Sequence, residues 1–158
     1  MCISRKRLPW VLAFAVLITA ALCPSYGTAQ PEKEGLKVTV LLFSGRPDPV
    51  YRLAGSEMLD RVKRSLDAAK EQTSFDKPTV IPATLGYKGI VVDNDAGLPG
   101  IPVRFAVYRG AIEVRGEKTK FLSDEGGALE SFLLNQAIAK GAIDEKMARR
   151  IKEGTYSK

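Results

Sequence analysis

Histidine is absent from the chain, and the two cysteines, Cys2 and Cys23, fall within the first 29 residues together with the single tryptophan, Trp10. Those residues have the layout of a removable export signal, so the working chain is expected to hold no Cys, His or Trp. Their absence excludes disulfides, thiol nucleophiles, imidazole bases and most zinc sites. An exported chain without disulfides must cohere by packing alone, which argues against a small stapled scaffold. Phosphate-cradling loops are missing too, since Gly86, Gly89, Gly97 and Gly100 are not at Rossmann or Walker spacings. No internal repeat or low-complexity tract interrupts the chain.

The export signal rests on three adjoining zones. Arg5, Lys6 and Arg7 form a basic head, and Leu8 to Cys23 is an apolar run broken only by Pro9 and Thr19. Small residues Gly27-Thr28-Ala29 then precede a cut before Gln30. As a helix the run would span about 24 Å, short of the roughly 30 Å hydrocarbon core, so a cleaved signal is preferred to an uncleaved anchor. Leu22 is too bulky for a lipid-modified Cys23. The expected destination is the periplasm or the exterior, with membrane association only through an uncleaved signal.

Removing residues 1–29 takes away those three cations and no acid, so the formal charge falls from +6 to +3. The remainder suits one domain with one core. The expected organisation is a signal over 1–29, a flexible leader over 30–35, one domain over 36–153 and a tail over 154–158.

Leu36 to Phe43 reads as an interior strand, with Val38, Val40 and Leu42 on one face and Thr39, Leu41 and Phe43 on the other. A helix follows over 56–71, capped by Ser56, with Leu59, Val62, Leu66 and Ala69 as its apolar stripe. Glu57–Arg61, Asp60–Arg64 and Lys63–Asp67 are spaced to pair on its wet side. Thr73 to Gly86, with Pro78 and Pro82, is a connection that holds at most a short edge strand at Val80-Ile81. Gly89 to Val92 and Ile101 to Tyr108 are strands, the latter with Val103, Phe105 and Val107 on one face. Arg109-Gly110 is a tight reversal into Ile112 and Val114, and Gly116-Glu117-Lys118 turns the chain into Thr119 to Leu122. Leu129, Phe132, Leu133 and Ala137, widened by Leu134 and Ile138, mark a second helix ended by Gly141, and Asp144 caps a last short one. This order predicts an α+β fold, a single domain with one mostly antiparallel sheet and helices packed on one face.

Few residues are placed for chemistry. Asp93-Asn94-Asp95-Ala96-Gly97 has alternating oxygens but lacks the longer calcium-loop pattern, so it reads as a turn, and no metal or cofactor is expected. Arg46 and Asp48 lie on a proline-bracketed loop, where a held guanidinium would suit an anion; the plainer role is to tie the loop down. In Leu85-Gly86-Tyr87-Lys88-Gly89, Tyr87 offers a face to a sugar or base and Lys88 an anion contact. The expected contact surface combines Arg46, Asp48 and Tyr51 with Tyr87 and Lys88. Ser44 lacks the frame of a nucleophile elbow, and Ser131 reads as a helix spectator. The modest charge and the lack of a recognised module argue against nucleic acid, but Arg104, Tyr108, Arg109 and Arg115 lend one sheet face a basic, aromatic character that makes it the best remaining binding surface.

Phe43-Ser44-Gly45-Arg46-Pro47-Asp48-Pro49, then Leu85-Gly86-Tyr87-Lys88-Gly89-Ile90, then Leu129-Glu130-Ser131-Phe132-Leu133-Leu134 resembles, as an ordered set, a group of small exported bacterial proteins of uncharacterised function. No activity is implied by that resemblance. Val91 to Val107 with Ser123-Asp124-Glu125-Gly126 is similar to immunoglobulin-like adhesion modules, which the two helical stretches do not fit. The function expected is therefore a non-catalytic binding or structural accessory module, for an unknown protein or a small anionic or carbohydrate ligand. The alternatives are a small serine hydrolase using Ser44 with Lys88 or Asp48, and an adhesion module.

Overall fold

The computed structural model describes residues 34–43, 45–72, 79–82 and 86–154. The expected export signal over 1–29, most of the expected leader, Ser44, part of the 73–86 connection and the end of the expected tail lie outside the described residues. Strands β1 (Leu36–Phe43), β2 (Val50–Leu53), β3 (Lys70–Glu71), β4 (Gly86–Asp93), β5 (Arg104–Tyr108), β6 (Ala111–Arg115) and β7 (Lys120–Ser123) form one sheet. Their order across it is β2-β1-β4-β5-β6-β7-β3, and every described pairing is antiparallel. Helices α1 (Ser56–Ala68), α2 (Ala128–Ala139) and α3 (Glu145–Lys152) pack on one face. This is the α+β architecture expected from the residue pattern, and it is not the two-sheet sandwich of an adhesion module.

Strand alternation builds the core. Val38, Val40 and Leu42 of β1, Ile90 and Val92 of β4, and Phe105 and Val107 of β5 all turn to the helices, where Val62, Leu66, Leu129, Phe132 and Leu133 meet them. Helix α2 buries Leu129, Glu130, Phe132, Leu133, Leu134 and Ala137 and leaves the stripe of Ala128, Ser131, Asn135 and Ala139 exposed. Asp144 accepts from the Met147 N–H at 2.6 Å and so caps α3, while the Gly141 N–H closes the end of α2 on the Ile138 carbonyl.

Four local expectations change. Ser56 is the first helical residue of α1 rather than its cap; Gly55 holds that place with no side-chain bond. Arg61 does not pair with Glu57 but lies 4.6 Å over the Phe132 ring, and Arg64 donates to the Asp60 main-chain carbonyl. The helix stops at Ala68, and Lys70–Glu71 leaves it to pair with β7 as an edge strand. Strand β5 begins only at Arg104, because the Asn94 amide gathers the Leu98 and Ile101 carbonyls into a compact loop and leaves Val103 76% exposed. Strand β2, Val50–Leu53, is an addition to the expected elements.

The face of the sheet away from the helices is partly covered by residues 79–82, which form no strand. Val80 packs there with Val91 and Ala106. Glu113, 1% exposed on β6, anchors this strap by accepting from the Thr79 hydroxyl and the Val80 N–H, and it also pairs with Arg115 at 2.6 Å. No described helix is long and apolar enough to cross a membrane.

Candidate functional site

A bulge sets the site. Leu41 of β1 faces Gly89 of β4, but Leu42 faces Tyr87, so Lys88 is an extra residue in the ladder. Strict alternation would send Tyr87 to the face away from the helices; one inserted residue reverses it. Gly89 accommodates the bend with φ 108°, and a Cβ there would meet the Val107 carbonyl oxygen at 2.5 Å.

Turned toward α2, Tyr87 donates its hydroxyl to Glu130 Oε1 and sets its ring 6.0 Å from that of Tyr108. Burial, reinforced by the Glu130 charge and hydrogen bond, pushes the Tyr87 phenol far above its ordinary pKa. Tyr51 makes a parallel connection from β2, donating to the Leu133 carbonyl at 2.6 Å, and burial raises its pKa as well. Two tyrosine hydroxyls thus pin α2 to the sheet.

Beside Tyr87 opens a cleft of about 750 Å³, bounded by α2, α3 and the β5–β6 turn. Asp124 shapes one wall. Its carboxylate accepts from the Leu129 and Glu130 N–H groups at 3.0–3.1 Å and caps α2 across a short turn. Ser131 lies on the exposed side of α2, and Arg109 and Lys152 stand at the rim. Arg109 has φ 46°, the single positive value among the described residues other than glycine. It occupies the first centre position of a two-residue hairpin turn between Tyr108 and Ala111, where Asn, Asp or Gly is preferred, at a cost on the order of 1 kcal/mol. Its guanidinium lies 5.3 Å from the Tyr108 ring centre.

The five residues singled out from the sequence are thus distributed as follows. Tyr51 and Tyr87 come together beneath α2, the first buried and the second at the cleft. Asp48 accepts from the Leu42 N–H at 2.7 Å, so it ties its loop to the end of β1. Arg46 is exposed on that loop, and Lys88 is the half-buried bulge residue. The Asp48 loop and Tyr87 flank Leu42 from its two sides. Ser44, the proposed nucleophile of a hydrolase, lies outside the described residues. Arg104 pairs with Asp93 and Arg115 with Glu113, so those cations are matched within the sheet. The alternating oxygens of 93–97 are also committed: the Asn94 side chain bonds its own loop, and Asp95 forms a two-pronged bond with Arg52 at 2.7–2.8 Å. No group of acids able to hold a metal occurs among the described residues.

Sequence reasoning missed Glu130 and Asp124 as site residues, and it placed Arg109 on a basic sheet face rather than at the mouth of a cleft. Glu130 was marked by being an acid inside an otherwise apolar helix stretch, Leu129-Glu130-Ser131-Phe132, and Arg109 by an Arg-Gly pair where a turn favours Asn-Gly. Against known proteins, no family model, no curated protein and no solved structure matches the chain.

Proposed function

We propose that this chain is an exported, non-catalytic accessory module that binds a carbohydrate in the cleft beside Tyr87. The observation that carries it is the locked Tyr87–Glu130 pair at the wall of that cleft. An aromatic ring fixed by a hydrogen bond gives a sugar an apolar face at little entropic cost, while nearby carboxylate, hydroxyl and guanidinium groups meet its hydroxyls. Because the phenol is held protonated and committed to Glu130, it serves as a fixed donor rather than a group that exchanges its proton near neutrality. Export is supported by the basic head, apolar run and small residues at 27–29.

Two measurements test this. Mass spectrometry of protein from its native host should show a chain starting near Gln30; a working molecule that retains Trp10 overturns the export half. Isothermal titration of residues 30–158 with oligosaccharides should give binding that Ser131→Trp abolishes by filling the cleft. Undiminished binding by that variant overturns the cleft half.

A further inference from the structure

The rim of the cleft differs in charge from its interior. Asp124 has both oxygens occupied by main-chain N–H groups of α2, and Glu130 takes the Tyr87 hydroxyl on Oε1. Both interior acids thus already accept hydrogen bonds from donors of the protein. At the mouth stand Arg109 and Lys152, and Lys152 closes the basic last turn of α3, which also carries Arg149 and Arg150. Glu153 is the opposing acid at the rim.

Arg109 is the informative member. A residue whose left-handed backbone carries strain persists only where the surrounding structure enforces it, and such residues concentrate at binding sites. Asn or Gly would relieve the turn. Arg instead brings a guanidinium to the cleft mouth, resting over the Tyr108 ring. A guanidinium stacked on an aromatic face keeps its N–H edge in plane for a two-pronged bond to a carboxylate. Among the described residues Arg109 makes no ion pair that would use that edge.

Building on the carbohydrate reading, we propose that the cleft selects a sugar bearing a carboxylate, a uronate. Arg109 takes the carboxylate and Lys152 adds charge, while Glu130 and Ser131 accept from the ring hydroxyls. The same chemistry is offered by a free oligouronate and by a uronate-containing polymer.

The test is calorimetric titration of residues 30–158 at low salt with galacturonate trimer, its neutral galactose counterpart, acetate and polygalacturonate. The acidic trimer should bind at least about ten-fold more tightly than the neutral one, with a preference that shrinks as salt is raised. Arg109→Gly and Arg109→Asn should erase that preference while leaving the thermal midpoint unchanged or higher, as relief of turn strain requires. Equal binding of acidic and neutral trimers, or a preference that survives both substitutions, overturns the selection of uronate but leaves the carbohydrate reading intact. Acetate binding as tightly as the trimer overturns the sugar component. No binding of any saccharide by the unsubstituted chain overturns both readings. Polymer bound more tightly than trimer, per site, assigns the site to chains rather than to free fragments.

Discussion

Tyr87 donates its hydroxyl to Glu130 Oε1 over 2.5 Å, joining β4 to α2 across 43 positions of sequence. Glu130 is 9% exposed, so loss of this partner leaves its carboxylate poorly solvated.

Tyr87→Phe should therefore lower stability by about 2 kcal/mol, read from urea unfolding. Glu130→Gln keeps a carbonyl acceptor for the phenol and should cost about half as much. A Tyr87→Phe chain as stable as the original would mean that the bond does not hold α2 to the sheet.

Glu113 gives the chain an acid-sensitive anchor. Burial acts to raise its pKa, but hydrogen bonds from Thr79, Arg115 and Val80, with the Arg115 charge, outweigh burial and hold it below the usual carboxylate range. A carboxyl depressed in the folded state contributes stability fully above its unfolded pKa of about 4.5 and loses that contribution as pH falls through the lower folded value. Unfolding free energy should thus decline below about pH 4.5 more steeply in the original chain than in Glu113→Gln. At neutral pH, Glu113→Ala should cost about 2–3 kcal/mol, because the Val80 N–H and the Thr79 hydroxyl lose their acceptor. Parallel pH profiles for the original chain and Glu113→Gln would remove the anchor from the account.

The loop after β1 is tied by its acid rather than by its cation. Asp48→Ala should lower stability by about 1 kcal/mol, since the Leu42 N–H loses its partner at a sheet position beside Tyr87. Arg46→Ala, at an exposed position, should stay within about 0.5 kcal/mol of the original. The reverse order in thermal melts would return the tying role to Arg46.

Much of the fold was legible because it follows from local periodicity. The two-residue alternation of Val38, Val40 and Leu42 placed β1 inside a sheet, and the apolar stripe of α1 and the Asp144 cap marked their helices. Arg109-Gly110 signalled its reversal in the same way. Lys70–Glu71 was assigned to the helix, because two residues at a sheet edge carry no period of their own.

The site was less legible, since it depends on contacts made at long range. That Tyr87 and Tyr51 are amphipathic, and that Glu130 lies in an apolar stretch, could be read from composition and spacing. Their meeting under α2 could not. It follows from one extra residue at Lys88, which reverses the side on which Tyr87 emerges, and from packing that presses α2 against that side. Periodicity is a property of neighbours along the chain and fixes the faces of each element; bulge register and helix placement are settled only when distant elements bury one another.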